Sequence, residues 1–166
     1  MVIAKGLQFD NKIVHGIALP QLMQIDLELR IVNILKKAGY KVIYKNHPDG
    51  NLSDSIIDFF GSNVQTVSER LEEVMSHADA FLFYHSRSTT FGQALCTNKP
   101  IIYINGGWED WLPEIYELIV KRCCIVSAHF DERNRLIINE EELLDALARK
   151  PVEPNFEFAN SYILSI

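Results

Sequence analysis

Apolar residues recur at helical spacing in four stretches of the chain. Leucine, isoleucine and valine follow this spacing over 21–38, which predicts an amphipathic helix, and the same pattern predicts helices over 64–78 and 110–120. A fourth helix is predicted to begin after Asn139, which together with Glu142 has the spacing of a capping box. The polar face of the first helix is predicted to carry Gln24, Asp26, Glu28, Arg30, Asn33, Lys36 and Lys37.

Short apolar runs rich in β-branched and aromatic residues lie between these helices. They predict strands at 12–19, 40–45, 80–84, 100–104, 123–127 and 136–138. Alternating strands and helices are typical of a mostly parallel sheet covered on both faces, so the predicted fold is α/β, a Rossmann-like three-layer α/β/α sandwich. We assign it to one domain over 1–150, and we assign the tail over 151–166 either a helix or an arm. Residues 51–62 give no clear signal.

Composition narrows the class of protein. The chain has 166 residues and a formal net charge of -6, which argues against a surface that neutralises a nucleic-acid backbone. No apolar run approaches the ~20 residues of a membrane-spanning helix, and the first residues do not have the pattern of a secretory signal. The three cysteines have no CxxC spacing, so we expect reduced thiols, a cytoplasmic location and no metal site.

The candidate chemistry lies where the strand over 80–84 ends. Hydroxyl-bearing residues follow this strand at once and open a short predicted helix, so side-chain hydroxyls and free backbone N–H groups meet at a helix N-terminus. A phosphate group is the expected ligand. The residues assigned to binding it are Ser86, Arg87, Ser88, Thr89 and Thr90. For any one of these hydroxyls, capping of the helix is the commoner explanation.

Other polar residues are predicted to complete this site. His47 follows the strand over 40–45, and its imidazole is the candidate catalytic group that contacts a phosphate oxygen. Additional candidates for substrate binding are Lys45, Gln93 and Gly106. Each also has a simpler explanation: an exposed cation, a solvent-facing amide and a turn-forming glycine beside a core tryptophan. His85 and Glu109 rank below all of these.

Several established motifs are missing from the chain. It contains no Gly-x-Gly-x-x-Gly, no Walker lysine motif, no His-Glu-x-x-His and no Gly-x-Ser-x-Gly. Their absence argues that the chain does not belong to four classes of protein: dinucleotide oxidoreductases, phosphate-loop ATPases, zinc proteases and hydrolases of the nucleophile-elbow type.

Two motifs together resemble a known family. His47-Pro48 follows one strand, and a second strand leads into Ser86-x-Ser88-Thr89-Thr90-x-Gly92-Gln93-Ala94-Leu95 and then Lys99-Pro100-Ile101-Ile102. This arrangement resembles the nucleotide-binding C-terminal half of GT-B glycosyltransferases of bacterial surface carbohydrate assembly. The most similar members are capsule polysaccharide proteins, CDP-glycerol glycerophosphotransferases and GT-B sialyltransferases, with a looser likeness to UDP-N-acetylglucosamine 2-epimerases. The element order matches over about 13–147.

The resemblance implies that His47 and the hydroxyl-rich turn hold the phosphates of a nucleotide sugar, with no metal and no cofactor. Many members have Glu or Asp near the position of Gln93, where it meets the ribose. A GT-B enzyme has two such domains, so this chain is expected to be the donor-binding half. It would then depend on an N-terminal acceptor domain or a partner subunit for transfer, and through that partner it could be peripheral to the inner membrane.

Two other functions stay open from the residues themselves. One is a standalone nucleotide or nucleotide-sugar binding module that regulates without catalysis. The other is an interaction domain in which the hydroxyl-rich turn only caps a helix.

Overall fold

The structure, a computed structural model, describes residues 1–3, 21–46, 59–61, 64–149 and 153–164. The chain divides into two compact units, Met1–Ala78 and Asp79–Ile166. Both combine helices with parallel strands, which confirms the predicted α/β class with a mostly parallel sheet. The predicted strand at 12–19 and the candidate residue His47 lie outside the described residues.

The first unit contains three parallel strands in the order β3, β2, β1. Val42 of β2 lies beside Val64 of β3, and Tyr44 lies beside Val2 of β1. A 3₁₀ turn, Met75–His77, ends the unit. Its elements are β1 (Val2–Ile3), α1 (Gln21–Lys37), β2 (Val42–Lys45), β3 (Val64–Val67) and α2 (Leu71–Val74).

The polar face predicted for α1 is wrong at two positions. Gln24 and Glu28 are buried, whereas Leu22, predicted on the apolar face, is 80% exposed. The reason is a buried hydrogen bond, in which the Tyr44 hydroxyl donates to the Glu28 carboxylate at 2.6 Å. A buried phenol hydroxyl requires a hydrogen-bond partner. The hydrogen bond from Tyr44 orients α1 so that Glu28 faces β2.

The helix predicted over 64–78 is wrong in its first half. Val64–Val67 is strand β3, and the helical turns begin only at Leu71. The two valines are three residues apart, which fits a helix, but the Val-Gln-Thr-Val segment also suits a strand because β-branched residues favour extended backbone. Pairing with β2 along its full length decides between the two.

The second unit has four strands in the order β4, β5, β6, β7. The first three are parallel, and β7 runs antiparallel to β6. The strands predicted at 80–84, 100–104, 123–127 and 136–138 are confirmed to within a few residues. The elements are β4 (Phe81–Phe83), α3 (Thr89–Leu95), β5 (Ile101–Asn105), α4 (Pro113–Arg122), β6 (Cys124–Phe130), β7 (Leu136–Ile138), α5 (Glu140–Ala148) and α6 (Glu157–Tyr162).

The predicted capping box at α5 is half formed. The Asn139 side chain accepts from the Glu142 N–H at 3.1 Å, as a cap requires. The Glu142 carboxylate instead accepts from the backbone N–H and the hydroxyl of Ser127, each at 2.7 Å. The Asn139 N–H is satisfied by the Ser127 carbonyl, so the sequence motif ties α5 to β6.

The described part of the C-terminal tail forms helix α6, one of the two alternatives predicted for it. This helix packs against α3 and α4, and Lys121 of α4 pairs with Glu157 at 3.0 Å. An added Cβ at Gly92 would lie 3.7 Å from Ile163, which shows how closely the tail approaches α3.

Tyr44 is expected to make the protein lose stability in alkaline solution. Burial, and then the neighbouring Glu28 carboxylate, raise the pKa of Tyr44 well above its usual 10. Above about pH 10 the unfolded chain releases this proton and the folded chain keeps it, so stability falls as pH rises, by up to about 1.4 kcal/mol per pH unit. Urea unfolding at several pH values from about 9 to 11 measures this slope. We expect a shallower slope for Tyr44→Phe, and equal slopes would contradict the assignment.

Candidate functional site

The turn between β4 and α3 contains most of the predicted site residues. We call it the Ser86–Thr90 turn. Ser88 is the N-cap of α3, with extended backbone angles, and its hydroxyl accepts from the Phe91 N–H at 3.1 Å. Its own N–H donates to the Ser86 carbonyl at 2.8 Å. Capping of the helix, the simpler of the two explanations, is therefore a role that Ser88 fulfils.

Thr89 and Thr90 leave hydrogen-bond donors unused. Their backbone N–H groups have no acceptor in the described part of the chain, since they precede the first N–H that bonds within α3. The Thr89 side chain is exposed and that of Thr90 is half-buried. Two adjacent backbone N–H groups, on residues that also carry hydroxyls, thus lie just after the carboxyl end of a parallel strand, where α/β sheets commonly bind ligands.

Ser86 has a partner that sequence analysis did not predict. Both carboxylate oxygens of Glu109 accept from the Ser86 N–H, at 3.1 and 3.0 Å. The Tyr103 hydroxyl donates to the same carboxylate at 2.5 Å. Burial, and then this hydrogen bond, raise the pKa of Tyr103 above the usual range. An internal carboxylate therefore holds the start of the Ser86–Thr90 turn, and the Ser86 N–H is not available to a ligand in this arrangement.

Glu109 ranked last among the candidates because nothing in its local pattern marks it. Its contacts join residues 23 positions apart, from the end of β4 to the loop after β5. The one available signal was its position in the loop after β5, because β4 and β5 were predicted as consecutive parallel strands. Loops after such strands meet at one edge of the sheet.

Gly106 serves the packing of Trp108. A Cβ added at Gly106 would lie 1.8 Å from the Trp108 ring, so no other residue fits beneath the indole. Trp108 is buried, and its indole N–H donates to the Tyr84 carbonyl at 2.7 Å. The loop after β5 is thereby fastened to the end of β4. Of the two explanations for Gly106, the glycine beside a core tryptophan is the one that these contacts support.

A row of aromatic rings supports the turn from within. Phe83 contacts Phe91 at a centroid distance of 5.1 Å, Phe91 contacts Tyr103 at 5.8 Å, and Tyr103 contacts Trp111 at 6.1 Å. The rings meet mostly edge to face, the favoured geometry for aromatic pairs. This packing fixes β4, α3 and β5 relative to one another within the second unit.

Arg122 holds the other end of α3. Its side chain is buried and donates to the carbonyls of Leu95, Thr97 and Lys99, at 3.2, 2.7 and 3.0 Å. Leu95 is the last residue of α3, so its carbonyl has no partner within the helix, while Thr97 and Lys99 lie in the segment that follows. A cation at this helix end also complements the helix dipole. Burial lowers the pKa of Arg122, and the neighbouring Cys123 thiol opposes this shift. Arg122 is a structural residue that sets the position of α3.

The remaining candidates lie in different surroundings. Arg87 is exposed and Gln93, one turn into α3, is half-buried. Lys45 belongs to the first unit and is buried rather than exposed, so it is not an ordinary surface cation. His47 lies outside the described residues.

The cysteines in the described part of the chain are unpaired. All three thiols are free, and burial raises the pKa of Cys123 to about 12. Within the described ranges, no group of three or more histidine, cysteine, aspartate or glutamate side chains is placed to hold a metal ion.

Comparisons with protein-family models, with curated proteins and with solved structures find no match to this chain. Among the described residues, no helix combines the length and the apolar character that crossing a membrane requires.

Replacing Gly92 by alanine is expected to stabilise the protein by about 0.5–1 kcal/mol, since Gly92 has ordinary helical backbone in α3 and alanine favours a helix. The added methyl would make an ordinary contact with Ile163 at 3.7 Å. Urea unfolding measures the change. A loss of stability would mean that α6 packs more tightly on α3 than described.

Proposed function

We propose that this chain is the donor-binding domain of a glycosyltransferase-like protein of surface polysaccharide biosynthesis. In this proposal it has a Rossmann-like sandwich fold, as one half of a GT-B enzyme, and binds the phosphates of a nucleotide sugar. The observation that carries the proposal is the pair of unused N–H groups of Thr89 and Thr90, next to two hydroxyls, at the carboxyl end of β4. The resemblance of the surrounding motif to the donor site of GT-B enzymes supports it.

The proposal assigns the phosphate contacts to one part of the turn. Because Glu109 accepts from the Ser86 N–H, the phosphate contacts fall to Thr89 and Thr90. With only seven residues, α3 contributes a modest dipole, so direct hydrogen bonds to N–H and hydroxyl groups supply most of the attraction. Ser88 contributes by capping the helix that presents these groups.

This site would promote transfer by holding the leaving group. When the glycosidic bond breaks, negative charge develops on the nucleotide phosphate, and fixed N–H donors stabilise that charge. His47 would supply a further proton-bearing group. The acceptor and the general base would come from an N-terminal domain or a partner subunit in the cytoplasm, so this chain alone is expected to bind donor without efficient turnover.

Thr89→Pro tests the proposal with little risk to the fold. Thr89 is the first residue of α3, where proline is favoured because its missing N–H is not needed, and the preceding Ser88 already has the extended backbone that proline requires. The variant should keep its melting temperature and lose about 10- to 100-fold in affinity for the preferred nucleotide, the effect of one charge-assisted hydrogen bond.

Isothermal titration with CMP, CDP, UDP and their sugar conjugates measures the affinities. Thr89→Ala is the matched control, since it removes the hydroxyl and keeps the N–H, and it should lose less affinity than Thr89→Pro. His47→Ala should also weaken binding. The proposal fails if no nucleotide binds the parent chain, or if Thr89→Pro binds as tightly as the parent.

A further inference from the structure

The end of strand β2 in the first unit holds two adjacent buried polar residues. Lys45 is the last residue of β2, and the Asn46 N–H donates to the Val67 carbonyl at 2.8 Å, which continues the pairing with β3 one residue further. Both side chains are more than nine-tenths buried, with 7% exposure each. Lysine and asparagine are seldom buried to this extent without a full set of partners.

Their hydrogen-bonding capacity is only partly used. The Lys45 ammonium donates to the Asn46 carbonyl at 2.5 Å, and its other hydrogens have no acceptor in the described part of the chain. The Asn46 side-chain oxygen, Oδ1, is buried and accepts no hydrogen bond. Burial lowers the pKa of Lys45, an effect that the charge of Glu69 opposes. Unused donors and an unused acceptor thus lie next to each other.

We propose that Lys45 and Asn46 bind a pair of neighbouring hydroxyl groups on a sugar or ribose. A hydroxyl both accepts and donates, so one hydroxyl accepts from the Lys45 ammonium while its neighbour donates to Asn46 Oδ1. The dianion of a phosphate monoester, or a carboxylate, would satisfy Lys45 but has no hydrogen to donate to Asn46 Oδ1. The carboxyl end of a parallel strand is also where an α/β sheet commonly binds such a ligand.

The inference concerns the first unit alone, and it rests on the proposed function only for the class of compound, a nucleotide sugar, whose hydroxyls would be recognised. These hydroxyls belong either to a ribose or to a sugar. Two sets of probes distinguish these sources. Ribose 5-phosphate and 2-deoxyribose 5-phosphate differ in one ribose hydroxyl, and free glucose and galactose represent the sugar.

Titration calorimetry of the full chain and its variants tests the inference. If the hydroxyls are those of the ribose, the parent chain should bind ribose 5-phosphate about tenfold more tightly than the deoxy compound, the effect of one net hydrogen bond. If they belong to the sugar, the parent chain should bind a free hexose instead. Asn46→Leu removes the acceptor and should abolish either response, whereas Asn46→Asp keeps an acceptor oxygen and should retain it. Lys45→Met should weaken binding, with the exposed Lys41→Met as the control.

The melting temperature of each variant gives a second readout. Because the unliganded site buries unused polar atoms, Asn46→Leu and Lys45→Met should melt at the same temperature as the parent or higher, a result that a structural role would not produce. The inference is overturned if these variants respond to the ribose or hexose probes as the parent does, or if the parent binds neither set of probes. If Asn46→Leu loses the response to the sugar probes but Thr89→Pro binds nucleotide as tightly as the parent, the proposed function alone is contradicted. If Thr89→Pro loses nucleotide affinity but Asn46→Leu keeps the response to the sugar probes, this inference alone is contradicted.

Discussion

Arg122→Met is expected to lower the free energy of unfolding by about 3 kcal/mol. Methionine keeps much of the side-chain volume but donates no hydrogen bonds, so the carbonyls of Leu95, Thr97 and Lys99 would lose the donor that they share. The hydrogen bond to the Leu95 carbonyl is buried, and a buried acceptor that loses its donor costs more than the net value of the hydrogen bond itself. The contact of the guanidinium with the Phe156 ring, 6.0 Å from its centroid, would also be lost.

Urea unfolding followed by circular dichroism measures this loss. Arg122→Lys keeps the charge but cannot reach several carbonyls at once, and it should fall between the parent and Arg122→Met. Arg133 is exposed, so Arg133→Met is the matched control and should change stability by less than about 0.5 kcal/mol. If Arg122→Met changed stability as little as this control, the structural role of Arg122 would be wrong.

Gly106→Ala is expected to lower the free energy of unfolding by about 3 kcal/mol and to weaken nucleotide binding. Its Cβ would lie 1.8 Å from the Trp108 ring, so the indole must leave its buried position. The protein would then lose the apolar contacts of a large aromatic side chain and the hydrogen bond from Trp108 to the Tyr84 carbonyl. Because this loop also carries Glu109, the Ser86–Thr90 turn would lose its support as well.

Gly107→Ala is the matched control for this substitution. Gly107 has a positive φ of 74° with open space around its Cβ position, so alanine there should cost only about 1–2 kcal/mol of backbone strain. The tryptophan fluorescence of Gly106→Ala should shift toward that of an exposed indole, and that of Gly107→Ala should not. A Gly106→Ala protein with parental stability and fluorescence would show that Trp108 does not pack on Gly106 as described.

The sequence predicted most of the second unit because its signals are local. The strands before and after α3 are continuous apolar runs, as expected of parallel strands buried on both faces, and Asn139 caps the helix that it was expected to cap. The helix predicted over 110–120 is likewise present, as α4. Each of these features depends on residues within a few positions of one another.

The features that were missed depend on distant partners. Glu28 is buried because Tyr44 needs an acceptor, and helical periodicity alone assigned it to the solvent side. The spacing of apolar residues in Val64–Val67 fits a helix, its β-branched residues suit a strand, and only pairing with β2 makes it a strand. Glu109 reaches Ser86 across 23 positions, a contact that requires both strands to be in place. Contacts between side chains that are distant in the chain cannot be predicted from local patterns in a single sequence.

An amide NMR titration of the full chain with CMP, CDP, UDP and their sugar conjugates tests the central claim most directly. We predict saturable shifts that are largest at the backbone amides of Thr89 and Thr90, which have free N–H groups, and small at Ser86, whose N–H already donates to Glu109. The absence of any saturable shift at Thr89 and Thr90 with every nucleotide would contradict the claim that this turn holds the phosphates of a donor.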